Sequence, residues 1–511
     1  MDFLKLQNGP DIRGVAVDGV PGEEVNLTSE VIGKIGWAFI SWLSRKIEKP
    51  GNRLHIAIGR DPRISGPDIR NTLVAAMASV GTTITDVGLS STPAMFMSTI
   101  LTPYQMDGAI MITASHLPWN RNGLKFFYKS GGLNETDIHN ILVLASEKEE
   151  LILNQSHQVK TANLMADYGQ YLRRIIQLEL DETGLQERLL KGFKIIVDAG
   201  NGSGGFFARE VLEPLGADTT GSLFLDPDGQ FPNHLPNPED GDAMRALQEA
   251  VVLHKADLGI IFDTDVDRAA FVDAQGHPIY RNHLIAMTAS IVLENWPGSW
   301  IVTDSITSDG LSDFIKNKRG GQHHRYMRGY RNVINEGIRL NRVGHECHLA
   351  IETSGHAAFK ENHWLDDGAY LAIRILAKMA YMRNEGAGDI SNLIRDLKNP
   401  IECEEFRIKI KDPSFKEPGQ KIISDLENFV VNIAGWNRVQ DDYEGIRIQC
   451  VSESGWFLLR LSLHDPVLVL NLESDQHGGI ALIIEKLLQF FNPLQENLDI
   501  GSLVLHLKQN Q

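Results

Sequence analysis

The chain has 511 residues, 42% of them hydrophobic and 23% charged, and a formal net charge of −17. That length is too great for one hydrophobic core and predicts three or four domains. The acidic balance argues against general binding to nucleic acid or to an anionic membrane. No apolar run approaches the length of a membrane span, and residues 1–5 lack the basic and apolar regions of a signal peptide. The cysteines, Cys347, Cys403 and Cys450, show no metal-ligand spacing and fit a reducing cytoplasm; a mature form cleaved from a transit peptide fits as well.

Along the chain, strand-like runs alternate with amphipathic helical runs, which indicates α/β units. The first set is a strand at 54–58, a helix at 69–80 and a strand at 83–87. GAIMITASHLPWNRNGLKFF follows at 108–127, opening on a short apolar strand. Thr113, Ala114 and Ser115 form a small-residue turn with His116 beside it. Pro118, Asn120, Asn122 and Gly123 read as turn formers, and Lys125 stands where the chain becomes apolar again. A Ser at a strand end with a His and a Lys nearby is a candidate phosphoryl acceptor, because a hydroxyl is a weak nucleophile that needs a base and a positive environment. The pattern is not the Gly-x-Ser-x-Gly elbow of hydrolases, and a lone Ser in a polar loop more commonly caps a turn.

Strands at 55–61, 194–202 and 300–310 each end in Gly-, Asn- or Asp-containing turns before a helical stretch. The interval exceeds solenoid repeats and suits three similar domains. Polar linkers are predicted near 154–158, 273–277 and 383–389. In GIIFDTDVDRAAFVDAQG (259–276), an apolar strand runs into Asp263, Asp265 and Asp267. In an extended segment these alternate carboxylates share one face, where they repel strongly unless a cation sits among them. Oxygen ligands favour Mg²⁺, and Arg268 can hold a phosphate or neutralise surplus charge. An EF-hand is excluded, since its sixth and twelfth loop positions would be Arg268 and Ala274. A solvated turn and the nucleophile strand of a dehalogenase-like phosphatase remain open on this segment alone. After about residue 399, alternating strands at 445–451, 456–462 and 467–473 are antiparallel hairpin material.

TASH-x-P-x-x-x-NG-x-K at 113–125 and D-x-D-x-DR at 263–268 together resemble the α-D-phosphohexomutase superfamily, which includes phosphoglucomutases, phosphomannomutases and phosphoglucosamine mutases. Further segments match in family order: NGPDIRGVA (8–16), GRDPRISG (59–66), GLSSTPAM (88–95), IVDAGNGSGG (196–205), PDGQFPNHLPNPED (227–240) and ETSGH (352–356). The resemblance implies a four-domain, heart-shaped arrangement around a central cleft. Three similar α/β domains with mixed sheets would span 1–157 (phosphoserine loop), 158–272 (metal loop) and 273–395 (sugar loop). A smaller C-terminal α+β domain would span 396–511 and carry the distal-phosphate loop.

The resemblance also implies roles. Ser115 would carry a phosphoryl group, and Asp263, Asp265 and Asp267 would bind Mg²⁺ together with a phosphoserine oxygen. His116, Lys125 and Arg268 would assist proton transfer or contact the reacting phosphate. Arg13 would lie at the cleft, while Glu352, Ser354 and His356, with Gly329 and Tyr330, would face the sugar. Gly355 permits the sharp turn within ETSGH. Arg460, Ser462 and His464 would hold the distal phosphate. That last loop, RLSLHDP at 460–466, departs from the family's Arg-x-Ser-Gly/Asn-Thr-x-Pro: Leu463 and His464 replace the small residue and the Thr, and Asp465 adds a charge. Leu117, Thr264 and Val266 are further departures, none of which removes a ligand or the nucleophile.

The activity implied is a Mg²⁺-dependent phosphosugar mutase acting through a hexose 1,6-bisphosphate. A branch that releases glucose 1,6-bisphosphate as product is the first rival. A silent regulatory relative would have no need of Ser115 and the three aspartates, and the phosphatase reading leaves Ser115 unexplained. Which hexose is bound, and whether the protein is a monomer or a dimer, stay open at this level.

Overall fold

The computed structural model describes residues 2–151, 158–181, 189–412, 414–439, 442–462 and 465–509. It divides into two compact units, Met1–Ile291 with Ser354–Leu393, and Val292–Thr353 with Ile394–Gln511. The predicted linker at 154–158 and the predicted site residue His464, with its neighbour Leu463, lie outside or largely outside the described residues.

In the first unit, strands His55–Arg60, Thr83–Leu89, Gly108–Ile112 and Val159–Thr161 run parallel. Gly108–Ile112 is buried at every position, as expected of a parallel strand covered on both faces. Helix Ser29–Lys46 supplies part of that cover. Its N-terminus is capped by the Thr28 hydroxyl, and Arg45 and Lys46 sit in its last turn, where they complement the helix dipole. Phe39 from this helix meets Phe126 with ring centroids 4.7 Å apart. Truncating either ring to Ala is worth about 3–5 kcal/mol of stability.

Beyond Gly108–Ile112 the sheet turns antiparallel, through Arg121–Tyr128 and then Asp11–Val15. Asn122 and Gly123, read from sequence as turn formers, therefore lie in a strand. Gly123 is required there by close approach: a Cβ would stand 2.3 Å from the Ile12 carbonyl and 2.8 Å from that of Thr113.

A second sheet in this unit repeats the pattern. Ile195–Asp198 and Leu258–Phe262 are parallel, and Leu258–Phe262 pairs antiparallel with Ala269–Asp273. Residues 273–277, predicted as a linker, form the tight turn leading into Pro278–Ile279 of the same sheet. In both sheets, then, the loop of interest joins the carboxyl end of a parallel strand to an antiparallel neighbour. Ligand sites in open α/β sheets fall at such carboxyl ends.

In the second unit, Trp300–Asp304 runs parallel to Gln322–Tyr326 and to Cys347–Ile351. An antiparallel sheet follows, with Glu402–Ile410 against Val467–Ser474, then Gly455–Leu461 and Ile446–Cys450. The alternating burial along the last residues of Glu402–Ile410 marks one face toward a core completed by helices Lys416–Val430 and Gly479–Phe491. The mixed α/β sheets and the antiparallel C-terminal sheet are the architecture predicted from sequence. Among the described residues no helix is long and apolar enough to cross a membrane.

Candidate active site

The three aspartates converge, but not by the extended alternation predicted. The strand stops at Phe262, and residues 263–268 close a tight turn, with Phe262 facing Ala269 across the ladder. Val266 sits inside the turn at φ +67° and is fully buried, a left-handed conformation that is costly for a β-branched residue. The Gly368 N–H donates to its carbonyl (3.1 Å). The result is three buried carboxylates with one ligand oxygen from each lying within 4.8 Å of the others.

Two cations reach this cluster. Lys125 donates to Asp265 Oδ2 (2.9 Å) and Asp267 Oδ2 (2.5 Å). Arg268 donates to Asp263 Oδ2 from Nε and Nη2, both at 3.3 Å. Thr92 donates its hydroxyl to Asp265 Oδ2 (2.5 Å). Asp265 Oδ1 and Asp267 Oδ1 are buried and have no hydrogen-bond partner among the described residues, and each such orphan costs about 1–3 kcal/mol. Burial, then Asp267 and Asp265, holds the Asp263 carboxyl well above its ordinary range. Burial also pushes Asp267 upward, but Lys125, His356 and Arg268 outweigh it and hold that carboxylate below its ordinary range. Three all-oxygen side chains with surplus negative charge and two orphaned oxygens fit a hard divalent cation.

Ser115 lies against this cluster. Its hydroxyl donates to Asp263 Oδ2 (3.0 Å) and stands 3.3 Å from His116 Nδ1. On the other side, His356 Nε2 is 3.7 Å from Asp267 Oδ1, and its Nδ1 pairs with the Ser354 hydroxyl at 2.9 Å. Gly355 between them has φ +95°, and a Cβ there would stand 2.7 Å from the Ala269 carbonyl, so the sharp turn predicted for ETSGH is required by contact with the strand beyond the aspartates. Burial, then Arg268 and Arg13, presses the His116 imidazole down to about 2. Burial presses His356 to about 3, with Arg268, Lys125 and Arg13 reinforcing it and Asp267 opposing. Both rings are therefore neutral near pH 7, chiefly because they are buried. Arg13 itself donates to Asp11 Oδ2 (3.0 Å).

The second unit holds a different cluster. Asp304 ends one parallel strand, Glu352 follows another, and Arg328 lies just past the strand beside them. Asp304 Oδ2 accepts the Thr353 hydroxyl (2.5 Å) and N–H (3.0 Å) and lies 4.0 Å from Arg328 Nε. Glu352 accepts the Gly329 N–H (2.7 Å). Glu444 accepts the Ser305 hydroxyl (2.7 Å) and the Arg328 N–H (3.0 Å), and it is 3.7 Å from Arg460 Nη1. Burial, then Asp304, raises Glu352 to about 8. Tyr330 is the first residue of helix Tyr330–Arg342 and is half-buried. Ser462, also half-buried, accepts the Asp465 N–H (3.3 Å).

Ser115, His116, Lys125, the three aspartates, Arg268, His356 and Arg13 thus gather in one unit, and Gly329, Glu352 and Arg460 share charged partners in the other. Thr92 and Asn237 lie in segments that match the family, 88–95 and 227–240, but neither stands out there as a site residue. Asn237 accepts from Arg268 Nη1 at 3.2 Å. Asp304 and Glu444 carried no local signal, because a lone acid acquires meaning only from its tertiary neighbours.

Fold and site define an α/β enzyme built around a hydroxyl beside a carboxylate cluster. Family models described as phosphoglucomutase/phosphomannomutase alpha/beta/alpha domains I, II and III match residues 6–151, 169–276 and 280–399. A phosphomannomutase/phosphoglucomutase of Pseudomonas syringae pv. tomato is 29% identical over 480 residues, covering 93% of this chain and 92% of its own. That of Pseudomonas putida is 30% identical over 430 residues, covering 84% and 85%. A crystal structure of a phosphoglucomutase/phosphomannomutase family protein from Burkholderia thailandensis superposes with a TM-score of 0.77 at 26% identity, over 95% of this chain and 97% of that one. The chain belongs to the phosphoglucomutase/phosphomannomutase family. It is accordingly an enzyme, a phosphosugar mutase by class.

Proposed function

We propose that this enzyme interconverts hexose 1-phosphates and hexose 6-phosphates, with Ser115 as the phosphoryl carrier and a hexose 1,6-bisphosphate as the intermediate. The observation that carries the reading is the Ser115 hydroxyl, 3.0 Å from one of three converging buried aspartates. Asp263, Asp265 and Asp267 would hold Mg²⁺, which when bound supplies Lewis-acid stabilisation of charge on the phosphoryl oxygens.

The remaining work falls to the chain. In the forward half-reaction the bond from phosphorus to Ser115 Oγ breaks as a sugar hydroxyl oxygen bonds to phosphorus and gives up its proton. The second half-reaction is the reverse, with the other phosphate returning to Ser115. Neutral His116, 3.3 Å from Ser115 Oγ, is the nearest ring able to accept a proton. Arriving phosphate offsets Arg13 and Arg268, two of the charges that depress its basicity. Arg268 and Lys125 contact the transferring group, while Glu352, Gly329, Ser354 and His356 read sugar hydroxyls. Arg460 and Ser462 grip the distal phosphate. Glucose and mannose phosphates are the substrates named for the related enzymes, and we assign that substrate class here.

A second reading, net synthesis of glucose 1,6-bisphosphate from another sugar bisphosphate, is favoured by one feature. Asp465 donates its N–H to the Ser462 hydroxyl, so its carboxylate lies near the proposed phosphate grip, where a negative charge weakens retention of a phosphate to the extent that Arg407, 3.8 Å away, does not offset it. Phosphorus NMR separates the two. Pure protein, Mg²⁺ and glucose 1-phosphate are followed first with a trace of glucose 1,6-bisphosphate and then with stoichiometric fructose 1,6-bisphosphate. Conversion to glucose 6-phosphate with the bisphosphate remaining catalytic supports the mutase. Accumulation of glucose 1,6-bisphosphate as the donor disappears supports the synthase, and no turnover in either arm rejects both.

A further inference from the structure

Ser115 holds φ +52°, a left-handed conformation that a non-glycine residue keeps only where its surroundings over-determine it. Those surroundings are a fully buried pair, Asp61 and Arg63. Arg63 Nη2 donates to the carbonyls of Ser115 (2.5 Å) and Leu117 (2.6 Å), and Nη1 donates to those of Pro118 (2.6 Å) and Arg121 (3.0 Å). Its Nε donates to Asp61 Oδ2 (3.1 Å). Every N–H of the guanidinium is therefore used, three of them on the loop that carries Ser115 and one on Arg121, where the next strand begins. Asp61 Oδ2 also accepts the Thr113 hydroxyl (2.7 Å), and Thr113 Oγ1 accepts the Ser115 N–H (2.9 Å). Both backbone groups of Ser115 thus end in the same buried network.

A buried ion pair is a poor investment for stability alone, since desolvation offsets its attraction. What this pair gains is geometry. A single planar fork binds four carbonyls between Ser115 and the start of the next strand, which no lysine or neutral side chain can reproduce. Nothing in the network touches Ser115 Oγ; it acts on the backbone that aims that oxygen at Asp263.

We propose that Arg63, seated by Asp61 and seconded by Thr113, is the positioning residue that holds Ser115 in its reactive conformation. The proposal rests on the reading of Ser115 as phosphoryl acceptor. It predicts that weakening the network slows phosphoryl transfer without weakening sugar-phosphate binding, because the hydroxyl- and phosphate-binding groups are elsewhere.

The test uses the full chain as wild type, Arg63→Lys and Thr113→Val. The rate of Ser115 phosphorylation by glucose 1,6-bisphosphate is read by intact mass with peptide mapping, alongside kcat, KM and the folded fraction from circular dichroism. Arg63→Lys lowers both the phosphorylation rate and kcat by ~100-fold, the scale of a misplaced reacting atom, while KM stays within about threefold. Thr113→Val, which leaves the ion pair in place, lowers them by ~10-fold. Equal rates within twofold for folded Arg63→Lys overturn the proposal, as does a loss that only tracks the folded fraction. If Arg63→Lys does not fold, Thr113→Val decides by the same criterion. Wild type that takes no phosphoryl group on Ser115 overturns the underlying functional reading, and this proposal with it. A phosphorylated wild type with unimpaired variants overturns this proposal alone.

Discussion

The carboxylate cluster at 263–267 and the one formed by Asp304, Glu352 and Glu444 contain the same chemical groups and solve opposite problems. Each sets three carboxylates against two cations, Lys125 and Arg268 in the first and Arg328 and Arg460 in the second, but in the first two buried oxygens, Asp265 Oδ1 and Asp267 Oδ1, have no hydrogen-bond partner among the described residues. In the second, Thr353, Gly329, Ser305 and Arg328 donate backbone N–H groups or hydroxyls to all three acids, and one buried oxygen, Asp304 Oδ1, has no hydrogen-bond partner among the described residues. The oxygens of the first arrangement fit a further cation. The second ties the loops after several strands to one another, and burial biases Glu352 toward its neutral form. Acidic clusters are thus told apart by what their oxygens already hold, not by their charge count.

The widest break in this comparison comes at the hydroxyl beside the first cluster. Ser115→Ala lowers kcat by at least ~10⁴-fold, the scale of removing a covalent nucleophile, and abolishes phosphoryl labelling by glucose 1,6-bisphosphate. Unchanged turnover in a stopped assay means that the phosphoserine reading is wrong. Next in size is the cation. Asp265→Asn replaces one ligand oxygen with an amide, and Mn²⁺ or Mg²⁺ affinity measured by calorimetry falls by ~100-fold, about 2.7 kcal/mol. In wild type, the same metal at 100 times its dissociation constant stabilises the fold by about 2.7 kcal/mol, seen as a rise in thermal midpoint that Asp265→Asn lacks. Equal midpoints with and without metal in wild type mean that the first cluster holds no cation.

These contrasts were unevenly legible in the amino-acid sequence. The strands Gly108–Ile112 and Leu258–Phe262 were plain, because a parallel strand buried on both faces reads as an unbroken apolar run. That Asp263, Asp265 and Asp267 would meet was also plain, though for a wrong local reason. Alternation suggested an extended face, whereas the antiparallel return at Ala269 demands a turn, which forces Val266 left-handed. Asn122 and Gly123 misled in the other direction. Turn chemistry and close strand approach both select glycine, and only the carbonyls of Ile12 and Thr113 reveal which applies. Arg63 was visible within GRDPRISG as a family match without a role, since its four carbonyl partners sit more than fifty residues away in sequence. Asp304 was silent for the same reason.

The smallest effect is a matter of pH, and it sharpens the second cluster. Burial, then Asp304, holds the Glu352 carboxyl at about 8 against an ordinary 4.5. Between those values the folded chain keeps a proton that the unfolded chain has released. Stability from this group is therefore complete below about pH 4.5 and is lost as the pH rises through about 8. Glu352→Gln has no proton to lose, and its amide oxygen can still accept the Gly329 N–H. The thermal midpoint of the variant relative to wild type thus moves in the variant's favour from about pH 5.5 to about pH 8.5, by several degrees. The full pKa displacement sets an upper bound on the order of 5 kcal/mol. A difference that stays flat across that range means Glu352 is charged throughout. The second cluster would then carry the same uncompensated charge as the first, and its loops would be held against repulsion instead of by shared hydrogen bonds.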